Sequence, residues 1–137
     1  MPNSRLVTLH RYFIWANRLR EYFDTTLHNH DLPSDMESTI RWFINDPGLF
    51  QTHWYASLYV VIEAWLELGF RDPEIDNLLG NERMVSLLRR YRNGTFHFQP
   101  DYFSEKLFEM VREPGSATWV REVHAAFGKH FMRLEAD

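Results

Sequence analysis

The sequence predicts an all-α fold, a single-domain up-and-down helical bundle of about five to six helices over residues 1–137. Apolar residues recur at helical spacing, two-residue alternation is nearly absent, and Pro and Gly divide the chain into segments of the length typical of bundle helices. The chain is 45% hydrophobic and 25% charged, and 137 residues suffice for one core without disulfides or a structural metal.

The first three helices are predicted by apolar periodicity. Residues 4–28 carry apolar side chains every three or four positions, which predicts a long amphipathic helix, and residues 35–45 predict a shorter one. Residues 49–70 are apolar on nearly all sides. This pattern indicates a central helix packed between others.

The later helices are delimited by capping signals. Asp72 followed by Pro73 is typical of an N-cap and a first helical position, so a helix is predicted to begin there. A further helix is predicted from Asn81 through Tyr91. Residues 101–112 and 116–134 complete the set.

Composition limits the possible functions. Cys is absent, which excludes zinc ribbons, thiol nucleophiles and disulfide scaffolds and agrees with a cytoplasmic location. The net charge of −4 means that any contact with nucleic acid has to come from a local basic patch. The longest apolar stretch, residues 54–65, is too short for a membrane span, so no membrane partner is expected. There is no P-loop and no dinucleotide fingerprint, and we expect no cofactor.

One segment of this acidic chain is basic. Residues 81–99 contain four arginines and a single acid, Glu82. On a helix, Arg89, Asn93 and His97 follow one another at four-residue intervals, opposite a predicted core stripe. That stripe comprises Met84, Leu87, Leu88, Tyr91, Thr95 and Phe98. The outward face is either solvated or a site that another molecule completes.

A second interpretation of the same segment is a β-hairpin. Asn93-Gly94 followed by alternating residues is a strong hairpin signal. The residues before it are helical in pattern, however, and the chain offers no other strand to form a sheet. A helix with a kink or loosened turn at Gly94 is therefore favoured.

The end of this helix resembles a known signature. Arg92, the polar Asn93 and, after three further residues, His97 are similar to the R-x4-6-H signature of the HEPN superfamily, whose members are helical bundles, often dimeric, and in many cases metal-independent ribonucleases. The resemblance implies that Arg92 and His97 are catalytic and that Asn93 is their polar neighbour. The adjacent Arg89 and Arg90 are expected to bind RNA.

Metal-independent cleavage of RNA requires the same residue types. Cleaving RNA without a metal requires a base for the 2′-hydroxyl proton, an acid for the leaving 5′-oxygen and a cation for the phosphorane charge. Histidine can supply a proton or take one near neutrality, and arginine can hold the charge. One chain offers one such histidine, so we expect a homodimer with a shared cleft. Glu63 is either a supporting acid or a surface partner of an arginine.

Several alternatives stay open. The resemblance allows a toxin or defence role with an antitoxin partner, but Gln99 stands where a toxin subfamily has a modified tyrosine. The chain could also be a non-catalytic HEPN-like module that binds RNA, a nucleotide or a protein, or a helical dimerisation protein without a ligand.

The remaining candidates are weaker. His28, His30 and Asp31 lie close together in a predicted turn, and no further ligand stands at a suitable spacing from them. No metal site is therefore expected. His124 and His130 are expected to serve packing or solvent contact, and His53 packing or an interface. Tyr55, Tyr59 and Trp65 of the central helix are expected to pack in the core.

Overall fold

The computed structural model describes residues 3–136, and all regular secondary structure within them is helical. The helices are α1 (Ser4–Leu27), α2 (Met36–Ile44), α3 (Asp46–Leu68), α4 (Pro73–Leu79), α5 (Glu82–Phe96), α6 (Glu105–Arg112) and α7 (Ser116–Ala136). The prediction of an all-α fold is confirmed. These seven helices exceed the predicted five to six, and the shortest, α4, has seven residues.

The helix ends follow from local capping chemistry. The Asp35 side chain accepts a hydrogen bond from the Ser38 backbone N–H, and the Ser38 hydroxyl completes the capping box of α2. Asp72 caps α4 at the predicted position, with Pro73 in the first turn. Gly69 ends α3 with a φ of 74°, a left-handed conformation that glycine adopts without strain.

Helix α3 lies between α1 and α5 and supplies much of the core. Its Trp54, Leu58, Ile62 and Trp65 are at most 1% exposed. Side chains from α1, α5 and α7 pack around it, including Phe13, Leu88, Tyr91 and Phe127. Within residues 3–136 no helix is long and apolar enough to cross a membrane.

Helix α5 continues through Gly94 to Phe96, so the hairpin interpretation of this segment is wrong. Gly94 is buried against α6: a Cβ there would lie 3.0 Å from Lys106 Cβ and 3.2 Å from Leu107 Cγ. The glycine therefore serves the close approach of two helices.

The end of α5 differs from the predicted core stripe. The helix ends at Phe96, because His97 adopts an extended backbone (φ −114°, ψ 127°). Phe98 consequently leaves the stripe and is 92% exposed instead of buried. Residues 97–104 form no regular element, and α6 begins at Glu105, four residues later than predicted.

Candidate functional site

Arg92 lies between α5 and α3, where its side chain is 21% exposed. Its Nε donates a hydrogen bond to Asn93 Oδ1 at 2.9 Å, and its Nη2 lies 3.6 Å from Glu63 Oε2. Its Cζ stands 4.8 Å from the centroid of the Tyr59 ring. A guanidinium carries five N–H donors. Most of those of Arg92 can therefore still bind an incoming anion, from a position that the ring and the two polar neighbours hold fixed.

The packing of α5 on α3 explains this position. Tyr91, directly before Arg92, is fully buried, and its ring lies 5.2 Å from that of Tyr55 on α3. Tyr59 and Glu63 follow Tyr55 at four-residue intervals and share its side of α3. Anchoring Tyr91 on Tyr55 therefore brings Arg92 over the next ring along the helix and beside the carboxylate that follows.

His97 lies one turn beyond Asn93, at the end of α5. Its backbone N–H donates to the Asn93 carbonyl at 3.0 Å, and its carbonyl accepts from Gln99 Nε2 at 2.9 Å. The imidazole is exposed and makes no hydrogen bond or ion pair with any residue between 3 and 136. Both ring nitrogens are therefore available to another molecule.

The expected common helical face is thus only partly realised. Arg89 is exposed on α5 and Asn93 is half-buried beside Arg92, whereas His97 already has a non-helical backbone. Arg90 faces α6, where its Nε lies 3.0 Å from Glu109 Oε2. Of the two arginines expected to bind RNA, Arg89 is the one with no acidic partner within the described part of the chain.

Tyr59 belongs to the same cluster, although the sequence indicated only core packing for it. Burial, together with the nearby Glu63 carboxylate, raises the pKa of Tyr59, and the charges of Arg89 and Arg92 act in the opposite direction. The phenol therefore stays protonated at neutral pH. The four-residue spacing of Tyr59 and Glu63 was visible in the sequence, but the face of α3 that meets α5 was not.

The other candidate histidines have structural partners. His53 Nδ1 bonds to the Leu49 carbonyl at 2.9 Å, and its ring packs on Phe96. His124 is buried, and His130 contacts Asp72 at 3.1 Å. The rings of Tyr55, Tyr59 and Trp65 are buried as expected.

The 28–31 turn shows no ligand geometry. His28, His30 and Asp31 are exposed, and His30 Nδ1 bonds to the Thr26 carbonyl at 2.9 Å. Across residues 3–136, no three His, Asp or Glu side chains are grouped closely enough to hold a metal ion.

A separate apolar groove of about 490 Å³ lies between α2 and α6. It is lined by Met36, Trp42, Phe43, Phe103, Phe108 and Val111, among others. None of the residues around Arg92 lines it, so it is distinct from the polar cluster between α3 and α5.

Comparison of the chain with family models, with curated proteins and with solved structures finds no match. The site consists of an arginine held by Tyr59, Asn93 and Glu63 and an exposed histidine one turn beyond Asn93.

Proposed function

We propose that the protein is a metal-independent endoribonuclease of the HEPN type, a single-domain up-and-down bundle that acts as a homodimer in the cytoplasm. One observation carries this proposal. Arg92 is held partly buried by Tyr59, Asn93 and Glu63, and His97, whose imidazole is exposed, follows at the end of the same helix.

His97 and Arg92 have different roles in the proposed reaction. A histidine takes the proton of the 2′-hydroxyl, the 2′-oxygen attacks the adjacent phosphorus, and the bond from phosphorus to the 5′-oxygen breaks. A second proton goes to that leaving oxygen from an acid. The products are a 2′,3′-cyclic phosphate and a 5′-hydroxyl end. Arg92 stabilises the extra negative charge of the phosphorane.

Asn93 and Glu63 act through Arg92. The hydrogen bond from Nε to Asn93 fixes the plane of the guanidinium, so that its remaining N–H groups meet phosphate oxygens as a fork. Glu63 lies 3.6 Å from Nη2, near enough to orient the cation and too far for a strong ionic hydrogen bond. A phosphate can therefore compete for the guanidinium.

The reaction needs a base and an acid, and each chain supplies one histidine at this position. We propose that two copies place both His97 and both Arg92 side chains along one cleft. Arg89, which is exposed on the same helix, then contacts the RNA backbone, with Arg90 as a second contact if its pairing to Glu109 opens.

The second candidate function is binding without cleavage, as a HEPN-like module for RNA, a nucleotide or a protein. It is favoured by the exposed His97, for which residues 3–136 supply no hydrogen-bonding partner to orient the imidazole. A role as a toxin or defence protein with an antitoxin partner is a further step that follows only if the protein cleaves RNA.

The test is cleavage of a single-stranded RNA in the presence of a chelator. We expect His97→Ala to lower the rate by about 10²- to 10⁴-fold, as lost acid or base catalysis. Arg92→Ala should lower it by about 10²-fold or more, as lost charge stabilisation. His28→Ala is the matched control, because His28 is also exposed, and should leave the rate unchanged.

The outcomes separate the two candidates. Cleavage that survives both substitutions, or that requires magnesium, contradicts the assigned site. RNA binding without cleavage by the unaltered protein supports the binding module. DNA of the same sequence should resist cleavage, because it lacks the 2′-hydroxyl.

A further inference from the structure

Helix α1 carries an exposed stripe in which arginines alternate with aromatic rings. Arg11, Trp15, Arg18 and Tyr22 follow one another at spacings of four, three and four residues. At about 100° per residue they fall within one narrow sector of the helix, well away from the buried Phe13 and the rest of its core face. Trp15 is 52% exposed and Tyr22 is 48% exposed. We call these four residues the α1 stripe.

The cations and rings of the α1 stripe are already in contact. Arg11 Cζ lies 5.2 Å from the Trp15 ring centroid, and Arg18 Cζ lies 5.7 Å from that of Tyr22. Neighbouring rings hold the aromatic side chains in place: Tyr12 meets Trp15 edge-on at 5.2 Å, and Phe50 of α3 stacks on Tyr22 at 5.4 Å. The stripe is therefore a positioned surface.

The local charge favours an anionic partner. Residues 1–20 contain four arginines and no Asp or Glu, although the whole chain has a net charge of −4. The first acid, Glu21, lies 3.6 Å from Arg18 at an exposed position where such a pair is weak. Arg11 has no acidic partner among the described residues.

A second copy of the chain does not suit this surface. A second α1 stripe packed against the first would add two more arginines and no acid, so four cations would be brought together without an anion, which is unfavourable at an interface. A single-stranded nucleic acid complements both the charge and the rings of this surface. Its phosphates pair with guanidinium groups, and its bases stack on exposed rings.

We propose that the α1 stripe is a binding surface for single-stranded RNA, with phosphates on Arg11 and Arg18 and bases stacked on Trp15 and Tyr22. From Arg11 to Tyr22 the helix rises about 16 Å, which gives room for a few nucleotides. The choice of RNA over single-stranded DNA rests on the proposed function.

Two ring contacts on α3 lie beside the stripe and beside the candidate site. Tyr22 stacks on Phe50, and His53, three residues further along α3, packs on Phe96 of α5 at 6.1 Å between centroids. Phe96 directly precedes His97. The α1 stripe and the residue before His97 therefore contact the same part of α3.

The test measures binding of a fluorescein-labelled oligouridine by anisotropy. The His97→Ala protein is used throughout, so that cleavage does not interfere. We expect Trp15→Ala to weaken binding about tenfold, as lost base stacking, and Trp15→Phe to restore most of it. Replacing both Arg11 and Arg18 by Gln should weaken binding and make the salt dependence shallower by about two phosphate contacts.

Two matched controls should leave binding unchanged. Ile14→Ala removes another exposed apolar side chain of α1 outside the stripe, and Arg112→Gln removes an exposed arginine of α6. Unchanged binding in both the Trp15→Ala and the double Arg variants overturns the proposal. So does loss of binding together with a change in oligomeric state, because the stripe would then be a protein interface.

Failure of the proposed function gives a different result. If the unaltered protein cleaves no RNA but its binding of oligouridine still depends on Trp15, the proposal for the α1 stripe is supported and the cleavage proposal is wrong. If cleavage depends on His97 but binding is unchanged by substitutions in the α1 stripe, the cleavage proposal is supported and the α1 proposal is wrong. Preference for vesicles of anionic lipid over oligouridine also overturns the proposal.

Discussion

His124 and His97 are the same residue type in opposite environments. The Trp54 indole N–H donates to His124 Nδ1 at 3.0 Å, so the other ring nitrogen carries the proton and donates to Asn17 Oδ1 at 2.9 Å. Burial, reinforced by the charges of Arg20 and Arg121, lowers the pKa of His124 to about 3. His124 is therefore a neutral structural residue, whereas His97 is exposed to other molecules.

This burial predicts an acid-sensitive fold. Native His124 stays neutral down to about pH 3, whereas in the unfolded chain it takes up a proton near pH 6.5. The unfolded state therefore binds more protons between these values, and the stability is complete above about pH 6.5 and is lost as pH falls. The free energy of unfolding should decrease by about 1 kcal/mol per pH unit below pH 6.5 through this group. Urea unfolding at several pH values measures it.

The control separates His124 from the other titrating groups. His124→Asn is expected to be less stable at pH 7 and to have a shallower pH dependence, because its amide does not titrate. His28→Asn, at an exposed turn, should keep the slope of the unaltered protein. Equal slopes in the His124 variant and the unaltered protein would contradict the assignment.

The residues of the candidate site were not equally visible in the sequence. Arg92, Asn93 and His97 could be found because they lie within six consecutive residues of the sequence. The contact of Arg92 with the Tyr59 ring could not, since it depends on which sides of α3 and α5 meet. Glu63 was identified, but only the fold places its carboxylate beside Arg92.

At the scale of elements, Gly94 sets the distance between α5 and α6. Gly94→Ala improves helix propensity by about 1 kcal/mol, but its Cβ would lie 3.0 Å from Lys106 Cβ and 3.2 Å from Leu107 Cγ and Cδ2. Lys106 Cβ is bonded directly to the α6 backbone and cannot move without moving the helix. We therefore expect Gly94→Ala to lower the free energy of unfolding by about 1 kcal/mol net, as strain from overpacking. Thermal or urea unfolding measures it.

Gly128 is the matched control for this prediction. It also lies within a helix, α7, but a Cβ there would approach only Phe13 Cζ, at an ordinary contact distance of 3.7 Å. Gly128→Ala should therefore raise stability by about 0.5–1 kcal/mol. If both substitutions stabilised the protein, α6 would have to adjust freely to α5, and Gly94 would not set their distance.

Helix positions were more predictable than the ends of helices. Asp72 and Pro73 indicated the start of α4 because capping is chemistry within a few residues. The end of α5 at Phe96 was missed, since Gly94, the nearest glycine, lies inside the helix and packs against α6. The predicted core stripe therefore included Phe98, which lies beyond the end of the helix and is exposed.

At the scale of the whole molecule, the all-α class follows from periodicity, but the order in which helices pack does not. The apolar character of residues 49–70 predicted a central helix, and α3 indeed lies between α1 and α5. The pattern of one segment contains no information about its neighbours. The contact of Tyr22 on α1 with Phe50 on α3, and that of His53 on α3 with Phe96 on α5, became visible only in the folded chain.

The proposed composite cleft predicts a dimer whose interface includes the exposed rings beside His97. Phe98 is 92% exposed and Phe96 is 55% exposed, and burying such apolar area on association is favourable. Phe98→Asp should therefore weaken the dimer by about tenfold or more in its dissociation constant, because a charge replaces an apolar side chain at the interface core. Analytical ultracentrifugation measures the constant, and cleavage per chain should fall in proportion to the loss of dimer. Met132→Asp, an equally drastic change at a 70% exposed position on α7, should alter neither. A Phe98→Asp protein that stays folded and monomeric yet cleaves at the full rate would show that one chain contains the complete site.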